Sequence, residues 1–182
     1  MQVPRLITPD LRLRRSFVAA MDEFRAEGRA SGPDSMGGWL RDWGAEWTND
    51  EGFDLFVAAV RAQGLERTRR PPGIVPATEL WWVEGDDFLG RIVVRHRLTP
   101  ALLETGGHIG YDVRPSARRR GHATEMLRQA LFIASELGID PALITCNVDN
   151  VGSRTAIERN GGVLEDERRG KLRFWARTSP TR

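Results

Sequence analysis

The chain has 182 residues, 40% of them hydrophobic and six of them tryptophan, which suits one packed domain rather than a disordered segment. Lys and Arg total 27 against 25 Asp and Glu, so the net charge of +2 argues against a nucleic-acid partner, although Arg67–Arg70 and Arg114–Arg120 are local basic runs. Cys146 is the only cysteine, which excludes an internal disulfide and a cysteine-rich metal site, and the three histidines lack zinc-motif spacing.

Residues 4–8 read as a short strand, after which Asp10 can cap a helix with Leu11, Phe17, Val18, Met21 and Phe24 on its apolar side. Residues 28–38 form a loop rich in Gly, Ser and Pro. Trp39, Trp43 and Trp47 follow at helical spacing, a stripe that serves as core or, with Asp42 and Glu46, as an aromatic, acidic slot for an amine. Gly44 weakens a helix there. Residues 54–63 are the next helical segment, and a basic, Pro-rich connection covers 67–73. Strands are expected at 78–83 and 88–97, a loop at 98–106, and a third strand at 107–113. A basic turn at 114–120 leads into the best helix of the chain, 121–137, with Ala123, Met126, Leu127, Ala130, Leu131 and Ala134 on one side. Then come a buried-type strand at 142–147, a helix at 151–159 that Asn150 can cap, and a hairpin of 163–168 with 172–177 around Gly170. The second half thus reads β-β-β-α-β-α-β-β, a mixed sheet with helices packed on it. No apolar run reaches the roughly 18 residues of a membrane helix, and the N-terminus lacks a signal-like apolar segment, so a reducing cytoplasm is the expected location.

The turn from Arg118 through Arg119, Arg120, Gly121, His122 and Ala123 to Thr124 carries the chemistry. The first turn of a helix has N–H groups without intrahelical acceptors, and the helix dipole adds positive charge there. An anion such as a diphosphate suits that place. Gly121 and Ala123 keep bulk away, Thr124 adds a hydroxyl and the arginines add charge. The Gly-Lys-Ser/Thr ending of a Walker loop and the G-x-G-x-x-G of a dinucleotide fold are both absent.

Arg118-x-x-Gly121-x-Ala123, preceded by Gly110-Tyr-Asp-Val-Arg-Pro115, resembles the coenzyme A signature of the GNAT superfamily of N-acetyltransferases. The segment Leu143-Ile-Thr-Cys-Asn-Val-Asp-Asn150, with Ser153, Ile157 and Gly161-Gly162, is similar to the strand and helix that follow in that family. Phrases such as Gly107-His-Ile-Gly-Tyr111 and Asn160-Gly-Gly162 resemble a bacterial subgroup of it. The likeness covers residues 76–178.

The resemblance implies a single domain over 1–182. Residues 1–75 would shape the acceptor site, and 76–182 would carry a mixed, mostly antiparallel sheet with helices on both faces. The sheet would be interrupted by a bulge and splayed where acetyl-CoA enters. Backbone of Tyr111, Asp112 and Val113 would hold the pantetheine arm. The diphosphate would sit on Arg119 to Thr124, with Arg118, Asn150 and Ser153 also at the cofactor. Asn150 and Ser153 are equally readable as helix caps. The activity implied is direct acetyl transfer to a primary amine, the acceptor being a small amine, an antibiotic, or a peptide or protein amine. No metal and no membrane are implied, and the state is a monomer or homodimer.

Catalysis calls for a base, an oxyanion donor and an acid for the leaving thiolate. The family often places a tyrosine acid seven residues beyond the Asn, where this chain has Ile157. Tyr111, Cys146, Ser153 or a water are the substitutes. His108 is the first choice of base and His96 the second, with Glu79, Glu84 and Asp112 as alternatives. A non-catalytic acyl-CoA sensor is the rival reading that the missing tyrosine favours.

Overall fold

The computed structural model describes residues 3–32 and 34–179. A seven-stranded sheet runs in the order β1-β2-β3-β4-β5-β7-β6. The strands are β1 Arg5–Ile7, β2 Ala77–Glu84, β3 Asp87–Arg95, β4 Ile109–Val113, β5 Ala142–Asn147, β6 Val163–Arg168 and β7 Lys171–Ala176. Every neighbouring pair is antiparallel except β4 with β5. The helices are α1 Arg14–Ala26, α2 Ser35–Asp42, α3 Asp50–Ala62, α4 Pro100–Glu104, α5 His122–Glu136 and α6 Val151–Arg159.

Alternation along β2 builds two cores at once. Leu80 and Trp82 face α5 and α6, where they meet Ile92, Ile109, Met126, Leu127 and Ile157. Trp81 and Val83 face α1 to α3, where they join Phe17, Trp47, Phe53, Phe56 and Phe88. A strand buried on both faces reads as an unbroken apolar run, as 80–83 does. Phe17 is the hub of the second core, with ring contacts to Trp39, Trp47, Phe53, Phe56, Trp81 and Phe88 at 4.9–6.2 Å. Phe17→Ala is expected to destabilise the fold by about 3–5 kcal/mol, because so many rigid rings cannot collapse into the space. Urea unfolding monitored by tryptophan fluorescence measures it.

Several expectations need correction. The tryptophan stripe is not one helical face: α2 stops at Asp42, Trp43 caps it, and Trp47 lies in a separate 3-10 turn at Glu46–Thr48. A Cβ at Gly44 would sit 2.5 Å from the Leu40 carbonyl oxygen, so the chain turns there. Asp42 and Glu46 are exposed while Trp47 is buried, so no acidic aromatic slot forms among them. The loop expected at 28–38 holds a 3-10 turn at Arg29–Ser31 and the start of α2, while Pro33 lies outside the described residues. The loop expected at 98–106 holds α4, which Thr99 caps and Pro100 opens. In the β6–β7 turn, Arg169 and Gly170 are both left-handed, the backbone of a tight hairpin turn.

Candidate active site

Strands β4 and β5 pair at a single position, Ile109 with Ile144, and then diverge. The break precedes β4. The His108 N–H donates to Leu143 of β5 at 2.7 Å, while its carbonyl accepts from Arg95 of β3 at 2.7 Å. In a regular strand both groups of one residue point to the same side, so the backbone twists at His108. From there β4 follows β3 without a register shift through Val113. The interruption implied by the resemblance is therefore found at His108, ahead of β4 rather than within it.

The opening leads into a cavity of about 610 Å³ between the N-terminal ends of α5 and α6. Arg119 (φ 61°) and Gly121 (φ 83°) are both left-handed, which turns successive N–H groups inward. The amides of Arg119 through Thr124 have no acceptor among the described residues. Open space surrounds the Gly121 Cα, so an oxyanion can approach the backbone closely. Helix α1 ties the loop down. Glu27 takes a two-pronged ion pair from Arg118 at 2.7 and 2.8 Å, and Glu23 binds the Arg114 guanidinium and the Ser116 amide. Against the upward push of burial, Ser116 and Arg114 hold the Glu23 carboxyl below its ordinary value. Arg118 is thus already neutralised. Arg119 lines the cavity with no ion-pair partner among the described residues; Arg120 has none either but lies off the wall.

Tyr111 reaches the cavity from β4. Its hydroxyl lies 2.6 Å from Ser153 Oγ and 3.3 Å from the Ser153 carbonyl oxygen, to which it donates. Burial pushes it up to about 12, so it stays protonated through the neutral range. Asn150 caps α6 through the Ser153 amide at 3.0 Å. Ile157 is fully buried in the core under α5 and does not line the cavity. Cys146 is buried beside it in the same cluster, and burial raises its thiol.

The model of the acetyltransferase (GNAT) domain family matches residues 15–163, most of the chain. The chain belongs to the GNAT family. Solved structures agree on the fold of this GNAT protein. The microcin C7 self-immunity acetyltransferase MccE, in complex with acetyl-CoA and AMP, is 16% identical with a TM-score of 0.61 over 96% of this chain and 92% of that one. RimL, a ribosomal L7/L12 alpha-N-protein acetyltransferase in complex with coenzyme A, is 18% identical with a TM-score of 0.60, covering 97% and 94%. RimJ of Mycobacterium smegmatis, in complex with CoA-disulfide, is 16% identical with a TM-score of 0.68, covering 97% and 82%. A sequence search of curated proteins finds no match.

Of the GNAT protein's expected site residues, the cavity gathers Tyr111, Asp112, Val113, Arg118, Arg119, Gly121, His122, Ala123, Thr124, Asn150 and Ser153. The His122 ring turns toward the core, its Nδ1 accepting from Trp82 at 3.1 Å. The two histidines expected as bases are not on the cavity wall. His108 is buried, its Nδ1 accepts from the Leu143 amide at 2.9 Å, and burial with Arg95 nearby lowers its pKa. His96 bonds Thr78 at 2.8 Å, past the end of β3. Because Arg95 bonds directly across to His108, strand alternation sends His96 to the opposite face, so the two rings do not meet. Of the three acidic alternatives, Glu84 ends β2 off the cavity wall, and the other two are held by arginines. Arg91 grips both oxygens of Glu79, and Asp112 is held by Arg29 at 2.7 Å and Arg91 at 3.2 Å. Glu27 and Arg29, both lining the cavity, escaped the sequence reading because their partners lie 91 and 83 residues away. Among the described residues no His, Cys, Asp and Glu cluster suits a metal ion, and no helix is long and apolar enough to cross a membrane.

Proposed function

We propose that the chain transfers an acetyl group from acetyl-CoA to a primary amine in a ternary complex, as one unit spanning residues 1–182. The observation that carries this reading is the row of acceptor-free amides at Arg119 to Thr124, placed at the mouth of the opening between β4 and β5. That row suits a diphosphate, and the unpaired edges of the two strands suit the amides of a pantetheine arm. Acetyl-CoA supplies a thioester: the amine nitrogen bonds to its carbonyl carbon, the C–S bond breaks, the nitrogen loses a proton and the sulfur gains one.

Among chain residues, the Tyr111 hydroxyl is the group fitted to protonate the departing sulfur. It lines the cavity, it is oriented by Ser153, and burial keeps it protonated. His108 and His96 lie off the cavity wall, the His122 ring is engaged by Trp82, and Asp112 is held by two arginines, so we assign amine deprotonation to solvent at the cavity mouth. Release of CoA thiol with a panel of amines tests the reading. Tight acetyl-CoA binding with no turnover on any amine would instead support an acyl-CoA sensor, the alternative that the buried Ile157 favours.

Tyr111→Phe is expected to lower kcat by roughly 100-fold or more while acetyl-CoA affinity changes little. In the parent enzyme, no ionisation of Tyr111 should appear in the rate up to about pH 10, where an unperturbed tyrosine titrates. Steady-state kinetics over pH with both proteins, beside cofactor binding by calorimetry, checks both statements.

A further inference from the structure

On the face of the sheet turned toward α1–α3 lies a second cavity, of about 280 Å³. Its walls are mostly apolar: Trp39, Val60, Val75, Val93 and Leu102. Two guanidiniums, Arg91 and Arg95, share it with Glu79. Arg91 and Glu79 satisfy each other through paired hydrogen bonds, and Trp39 stacks on Arg91 with its ring centre 4.3 Å from the guanidinium carbon.

Arg95 is different. Its hydrogen bonds go from Nη1 to the carbonyls of Gly106 at 3.2 Å and Gly107 at 3.1 Å, and among the described residues no carboxylate forms an ion pair with it. Nη2 and Nε are left with donors to spare beside the cavity, since an arginine carries five N–H groups. Glu79 acts on it only at longer range, and burial with Arg91 nearby disfavours its charge. Partly buried cations of this kind call for an anion. The guanidinium also sits where it matters. Both its terminal nitrogens lie 3.6–3.7 Å from where a Gly110 Cβ would be. Gly110 is on β4, next to Ile109, at the point where β4 leaves β5.

We propose that the acceptor of this enzyme is an apolar α-amino acid, its carboxylate held by Arg95 and its side chain by the Trp39, Val75, Val93 and Leu102 walls, which places its amine at the β4–β5 opening. The inference rests on the acetyl-transfer reading above and names its substrate class. A monoanion fits better than a phosphate. Glu79 and Asp112 already pair with the neighbouring Arg91, and Glu79 also acts on Arg95, so a second negative charge would meet repulsion from a nearby carboxylate. The short reach from carboxylate to amine in an α-amino acid suits an anchor one residue from the opening.

The test is a matched series on the full chain loaded with CoA. L-leucine, L-methionine and L-phenylalanine are compared with L-leucinamide and 3-methylbutylamine, which lack the carboxylate. Binding is read by calorimetry and turnover, with acetyl-CoA, by thiol release. We expect an amino acid of the first three to bind, and Arg95→Gln to weaken it roughly 30-fold or more, the loss of a charge-assisted pair. Arg95→Lys should recover part of that affinity. The two carboxylate-free amines should bind weakly and equally to the parent and to Arg95→Gln, and acetyl-CoA affinity should be the same throughout. An amino acid that binds through Arg95 without being acetylated upholds the site and overturns the transferase reading. Acetylation of the carboxylate-free amines as readily as leucine, or an equal loss on all probes in Arg95→Gln, overturns the inference while leaving the transferase standing. If none of the three amino acids binds, the inference is wrong.

Discussion

Gly121→Glu is expected to abolish acetyl-CoA binding, weakening it by at least 100-fold, in a protein that still folds. Two costs add at one position. The backbone there is left-handed (φ 83°), which costs any residue with a Cβ roughly 1–2 kcal/mol. The new carboxylate would also stand among the amides of Arg119 to Thr124, where it repels a diphosphate or occupies its donors. Gly121→Ala separates out the charge: it carries the conformational cost and a methyl group beside the diphosphate, without the carboxylate. Calorimetric titration of acetyl-CoA into both variants, with thermal unfolding as a control, measures the split. Full affinity in a folded Gly121→Glu protein would refute the cofactor assignment.

Arg91→Met should be among the most damaging single changes for stability, at about 3–5 kcal/mol, because it leaves a charge buried without its partner. Arg91 is 3% exposed and Glu79 is 7% exposed. Burial already pushes the Glu79 carboxyl upward, and Arg91 is what pulls against it. Without Arg91 the folded protein would hold Glu79 protonated, so its pKa would lie above that of the unfolded chain. A carboxyl shifted upward contributes stability below its unfolded pKa, near 4.5, and loses it as pH rises through the folded value. The variant should therefore lose most relative to its parent at neutral pH and approach it under acid conditions. Adding Glu79→Gln should recover much of the loss at neutral pH. Urea unfolding of the single and double variants at pH 5 and pH 7.5 checks the sign.

Local pattern carried the reading furthest where a single element decides the outcome. The periodicity of α5, the cap at Asn150 and the turn at Gly170 were all legible, because their causes lie within a few residues of one another. The turn at Gly121 and the start of the helix that follows it were legible too. What could not be read was every feature made by distant partners. Glu23 and Glu27 clamp the loop from 91–93 residues away. The Glu79–Arg91–Asp112–Arg29 chain joins β2, β3, β4 and the segment after α1, and nothing in four scattered charges announces it. The tryptophan spacing misled for the opposite reason: it is helical in period, but a glycine breaks the helix midway. The third strand was expected from residue 107, yet β4 begins only at Ile109, because the backbone twist at His108 and its Leu143 partner depend on β5, which the local sequence does not contain.

The single pairing of Ile109 with Ile144 divides the sheet into a block of four strands and a block of three. Beyond that point each block ends in a bare strand edge, and such an edge is a template on which other chains can add. Most proteins blunt their edges permanently with charge, proline or a covering helix. Here the two edges face one another across a gap wide enough for a ligand, so an occupant that pairs with both also withholds them from neighbouring molecules. Solubility would then depend on occupancy, and a chain emptied of its ligand would be the aggregation-prone form.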